Sequence, residues 1–143
     1  IDLIDPFSEL TGDLEDTLYG MYMLEAAEYY AQEGMEEGEA RSMLNLLYVA
    51  LSALRKKELE RELIRAVYEL RLLVIEGEYD ENPTGAGPEG LSRIWSHVIG
   101  SPLSRLYAPG SYGDEVASES FIREAEAMFR SMCRHSFRSL SLL

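Results

Sequence analysis

ELERELIRAVYELRLLVIEG, residues 58–77, is the stretch that decides the fold. At helical spacing Leu59, Leu63, Leu70 and Leu73 fall on one face, and Ile64, Val67 and Val74 widen that face until it covers most of the circumference. A helix that is apolar nearly all round has to be surrounded by other elements. The segment therefore predicts the central helix of an all-α bundle of about five to six helices, with Gly77 as its C-cap.

Upstream, a helix is predicted from Glu37–Glu39 to about Lys56, with Ala40, Leu44, Leu47, Leu51 and Leu54 inward. Arg55, Lys56 and Lys57 suit its negative C-terminal end. This helix and the central one read equally as one continuous rod or as two broken near 56–58. Before them, TGDLEDTLYGMYMLEAAEYYAQEG (11–34) predicts a helix capped by Asp13, with Glu15 and Asp16 in its first turn and Gly34 stopping it. Its inward row is read as Leu14, Leu18, Met21 or Tyr22, Glu25 and Tyr29, and Gly20 would let a neighbouring helix approach closely.

Downstream, EGLSRIWSHVIG (89–100) predicts a short helix closed by Gly100. SPLSRLYA (101–108) predicts another, with Ser101 as N-cap, Pro102 at the first helical position, and Leu103 and Leu106 inward. PGSYGD (109–114) reads as a turn, and the last long helix should run from about Glu115 toward Arg134. Phe121, Ala125, Met128 or Phe129, and Met132 are its predicted inner row. The alternating tail SFRSLSLL (136–143) suggests extended chain. The 143 residues fit one domain, and the start at Ile1 reads as a processed or excised piece.

The net charge of −13 is unevenly placed: residues 1–40 hold twelve acids and no Lys or Arg, while the remainder is nearly neutral. Such a field repels nucleic acid locally and suits a basic partner or a solvated face. No apolar run approaches the roughly 20 residues of a membrane span. The single cysteine, Cys133, excludes an internal disulfide and a cysteine-only zinc site within one chain.

Catalytic and cofactor signals are missing. His97, two residues after Trp95, reads as a packed or surface histidine rather than a base, and Cys133 and His135 diverge around a helix. No phosphate loop, dinucleotide fingerprint or H-E-x-x-H occurs. Glu25 and Glu28 share a face but lack the Glu-x-x-His partners of a carboxylate-bridged metal site. Tyr22, Tyr29, Tyr48 and Tyr68 lie on or near apolar rows, as core or groove walls. No catalytic, cofactor or metal residue is assigned, and none of these features points to an enzyme.

Two basic rows carry more information. Lys57, Arg61 and Arg65 recur every four residues, beside Arg55 and Lys56, and Arg130, Arg134 and Arg138 repeat the pattern after the last acid, Glu126. Either row could hold phosphate or the carboxylates of an acidic peptide. The competing expectation is local pairing, of Arg61 and Arg65 with Glu58, Glu62 and Glu69 and of Arg130 with Glu126.

Four ordered segments together resemble the C-terminal region of the bacterial DNA repair RecO family. They are IDLIDPFSELTGDLEDTLYGMYMLE (1–25), VYELRLLVIEGEYD (67–80), IWSHVIGSPLSRLYA (94–108) and HSFRSLSLL (135–143). The resemblance spans nearly all of the chain and implies a RecO-like C-terminal helical domain over 1–143, with an N-terminal OB-fold upstream of Ile1. It implies a non-enzymatic recombination mediator in the cytoplasm, associated with the nucleoid, that supports strand annealing and recombinase loading. Its expected partners are RecR and the acidic, Phe-ended tail of single-stranded-DNA-binding protein, with DNA bound mainly through the OB-fold and weakly or not at all by this domain. Arg55, Lys56, Lys57, Arg61 and Arg65 are the expected cations for that tail. The chain departs from the family at residues 77–90, where GEYDENPTGAGPEG stands in place of a four-cysteine zinc module and contains no Cys or His. Zinc is therefore not carried over. A helical scaffold unrelated to DNA repair, working through its acidic N-terminal face, is the alternative.

Overall fold

In the computed structural model, residues 13–79, 87–133, 137 and 139–143 are described. Helix α1 spans Leu14–Gln32, α2 Glu37–Lys56, α3 Arg61–Glu76, α4 Leu91–Gly100, the single turn α5 Leu103–Leu106, and α6 Glu115–Met132. 3-10 turns cover Pro109–Tyr112 and Ser139–Leu142, and no strand occurs among the described residues. The molecule is an all-α multi-helix bundle.

As its apolar circumference requires, α3 is the hub. It packs against α1, α2, α4 and α6, and Leu63, Ile64, Ala66, Val67, Tyr68, Leu70, Leu72 and Leu73 are all buried. Polar anchors fix its neighbours. The Tyr68 hydroxyl donates to the Met23 carbonyl of α1 at 2.8 Å. Arg71 Nη1 donates to the Val98 and Ile99 carbonyls at 2.8 and 3.3 Å, satisfying the otherwise open C-terminal end of α4. Trp95 of α4 is fully buried and meets Phe121 of α6 edge-on at 5.6 Å.

The chain breaks between α2 and α3. Lys57 takes the left-handed conformation (φ 58°) and closes α2, and Glu60 precedes the first turn of α3. Gly77 ends α3 at φ 74°, where the Glu78 and Gly77 N–H groups reach the Leu73 and Val74 carbonyls, the paired bonds of a Schellman cap. Gly90 is needed for a different reason. At φ 98° it lies so close to α6 that a Cβ there would meet Ala117 Cβ at 3.3 Å and an Asp114 carboxylate oxygen at 3.1 Å.

Several predicted details change. In α1 the buried face is Tyr19, Tyr22, Met23, Ala26, Ala27 and Tyr30, whereas Leu14 and Met21 are exposed. The helix is apolar on most sides, so spacing alone could not choose its face. Leu44 and Met132 also lie outside, and Met43, Leu46, Ala50 and Ala53 take inward places on α2. Pro102 occupies the N-cap position of α5 instead of its first turn, and Ser101 closes α4. The tail is a 3-10 turn packed on α1 rather than extended. Phe137 packs among the rings of Tyr22, Tyr29 and Phe129. Residues 80–86 of the 77–90 connection lie outside the described residues.

Candidate functional site

The basic row on α3 is built into the fold. Asp13 caps α1 by accepting from the Glu15 and Asp16 backbone N–H groups, which places the acidic first turn opposite the start of α3. Arg61 grips that turn with three bonds, Nε to Asp16 Oδ1 at 2.6 Å, Nη1 to Glu15 Oε2 at 2.8 Å, and Nη2 to Asp13 Oδ2 at 3.0 Å. Lys57 Nζ adds contacts of 3.3 Å to Asp13 and 3.5 Å to Asp16. The Asp13 carboxyl is held below its ordinary value, first by the Asp16 N–H and then by Lys57 and Arg61. The hydrogen bond to Asp16 raises Arg61.

One turn on, Arg65 Nε contacts Glu69 Oε2 at 3.3 Å, Nη1 approaches Glu126 of α6 at 4.0 Å, and the guanidinium lies 5.3 Å from the Tyr22 ring centroid. The Tyr22 hydroxyl donates to the same Glu69 oxygen at 2.5 Å. Burial pushes the Glu69 carboxyl up to about 7, against the pull of Arg65 and Tyr22. Of the expected local pairs, Arg65–Glu69 is the one present among the described residues. Arg61 reaches past Glu58 and Glu62 to α1, and Glu126 approaches Arg65. Arg130 is exposed at the end of α6, and Arg134 and Arg138 lie outside the described residues.

Arg55 and Lys56 directly precede Lys57 in the chain. Both are exposed at the C-terminal end of α2 and line a groove of about 410 Å3 between α2 and the α5 corner. Tyr48, Val49, Leu59, Leu103 and Tyr107 supply its apolar walls. The Tyr107 hydroxyl donates to the Ile64 carbonyl at 3.3 Å, tying that wall to α3. Leu44 and Tyr48 are four residues apart on the outer face of α2 and partly exposed, so apolar surface extends beyond the groove. Sequence spacing alone marks Tyr48 as a core or groove wall. The walls from α5 were out of its reach, because only the tertiary fold brings Leu103 and Tyr107 to α2.

The chain matches no family model, no curated protein and no solved structure in the three comparisons made. His97 is half-buried, with Nδ1 2.7 Å from Ser101 Oγ and Nε2 3.3 Å from the Leu106 carbonyl oxygen. A carbonyl only accepts, so Nε2 carries the proton and Ser101 donates to Nδ1. This pairing joins α4 to α5. Among the described residues no group of three or more His, Cys, Asp or Glu could hold a metal ion, and no helix is long and apolar enough to cross a membrane.

Proposed function

We propose that the chain is the helical interaction module of a RecO-like recombination mediator, and that its α2–α5 groove receives a short acidic peptide ending in a large apolar side chain. The observation that carries this reading is the meeting, in one concavity, of apolar walls from Tyr48, Val49, Leu59, Leu103 and Tyr107 with Arg55 and Lys56. An aromatic end group would be desolvated against the walls while its carboxylates meet the two cations. The resemblance of the four sequence segments supplies the partner's identity, the tail of single-stranded-DNA-binding protein. On the same reading RecR is a second partner, DNA is bound mainly by an OB-fold elsewhere in the protein, and the module works in the cytoplasm at the nucleoid without enzymatic chemistry.

Within the five-residue cation set the roles divide. Arg55 and Lys56 face the peptide, and Lys57, Arg61 and Arg65 hold the bundle. Anisotropy titration with the tail peptide tests this. Arg55→Glu/Lys56→Glu is expected to weaken binding by about tenfold or more, the scale of losing charge-assisted contacts to carboxylates. Arg130→Glu should leave it unchanged. Equal affinity in the first variant would refute the groove assignment. The exposed Glu28, Glu33 and Glu36 around the α1–α2 turn favour a second reading, a scaffold binding basic partners there. In that case charge reversal at those glutamates, and not at Arg55 and Lys56, would abolish partner binding.

A further inference from the structure

A second groove lies on the other side of Leu59. Its floor is formed by Leu59, Leu63, Tyr112 and Ile122, and its rim by Glu58, Glu60, Glu115 and Glu119, around about 450 Å3. No Lys or Arg lines it. The groove forms where the α2–α3 connection meets the start of α6, and its far wall is braced. Ser118 Oγ donates to the Tyr112 carbonyl at 3.0 Å, and the Tyr112 hydroxyl donates to the Leu106 carbonyl at 2.6 Å. The concavity is thus set by buried hydrogen bonds before any ligand arrives.

Several acids elsewhere in the fold are paired. Asp13, Glu15 and Asp16 are paired with Lys57 or Arg61, and Glu69 and Glu126 with Arg65. Glu58, Glu60, Glu115 and Glu119 are all exposed and take no ion pair among the described residues. The helix starts beside Glu60 and Glu115 favour those two acids. They give no comparable support to Glu58 and Glu119, which leaves unmet negative charge around an apolar floor. Val116, 64% exposed and one turn before Glu119, carries apolar surface out to the rim.

We propose that this groove docks a basic peptide segment of a protein partner, in which one aliphatic side chain sits between Lys or Arg residues. The aliphatic group would cover Leu59, Leu63 and Ile122, and the flanking cations would face the four glutamates. The sign of the rim disfavours nucleic acid, whose phosphates it repels. This inference does not depend on the acidic-peptide reading, because apart from the shared edge at Glu58 and Leu59 it uses other residues, and its ligand has the opposite charge.

The test is a fluorescence titration of the full chain with a labelled Lys-Arg-Leu-Lys-Arg peptide, beside one with Ser for Leu and one with Glu for every cation. Saturable binding of the first peptide is expected, weakened by added salt and by about tenfold in Glu119→Lys. The serine peptide should bind several-fold more weakly, the glutamate peptide should not bind here, and Arg55→Glu/Lys56→Glu should not weaken binding of the first. If Glu119→Lys loses its helical circular dichroism, Glu115→Gln/Glu119→Gln replaces it, with a smaller loss expected. No saturation at millimolar peptide, equal affinity in the glutamate variants, or equal affinity for the serine peptide would overturn the proposal.

Discussion

Glu69 sits where α1, α3 and α6 meet, with Tyr22 and Arg65 on Oε2 and no hydrogen bond to Oε1 among the described residues. Its carboxyl titrates at about 7 in the fold against 4.5 ordinarily, because burial disfavours the charge more than Arg65 restores it. Glu126 beyond Arg65 pushes in the same direction as burial. Between those two values the unfolded chain has released a proton that the folded chain keeps. The stabilising effect of this group is therefore complete below 4.5 and is lost as the pH rises through about 7. Glu69→Gln is expected to flatten that slope and to be the more stable protein at alkaline pH, by a margin on the order of 3 kcal/mol. Urea melts across the range check it, and parallel slopes in the two proteins would contradict it. Asp13 works with the opposite sign: its lowered carboxyl adds stability that is lost as acid protonates it. Sequence revealed Arg65 and Glu69 as an i,i+4 pair but not the burial that gives Glu69 its abnormal titration. Nor did it reveal the contact with Tyr22, whose hydroxyl donates to Glu69 and which spacing in α1 offered only as an alternative to Met21.

Among the elements, α3 was the most legible, since a helix whose apolar face covers most of its circumference has to be surrounded by other elements. The start of α2 and the caps at Asp13 and Gly77 were equally readable, because local chemistry sets them, whereas the break between α2 and α3 at Lys57 was not. The orientation of α1 was not, and neither were the partners of the basic row. Arg61 joins residues 45 to 48 positions away in the chain, a distance over which helical spacing carries no information. The three bonds make Arg61 the clasp between α1 and α3. Arg61→Met should loosen the first turns of α1 ahead of the rest, with faster amide exchange over about residues 14–20 than in α3. Stability should fall by roughly 1–3 kcal/mol, the cost of stranding the largely buried Asp16 carboxylate. Uniform acceleration across all helices would show that the clasp has no local role.

At the scale of the whole molecule, the tail closes the bundle. Phe137 is buried against Tyr22 at 5.6 Å, Tyr29 at 5.7 Å and Phe129 at 6.4 Å, so the last residues hold α1 to the end of α6. Phe137→Ala is expected to lose about 3–5 kcal/mol and to lower the melting temperature without changing the helical signal at low temperature. A shift below about 1 kcal/mol would mean that the tail only rests on the surface. The all-α architecture was evident from sequence, whereas the two grooves required the fold. Each draws its walls from segments far apart in the chain that share Glu58 and Leu59. That shared edge has a thermodynamic consequence. A cation bound on the acidic side would neutralise Glu58, removing a charge that repels acidic peptide on the other. The two grooves would then favour each other's occupation, and by linkage the enhancement is the same factor in whichever order the ligands arrive.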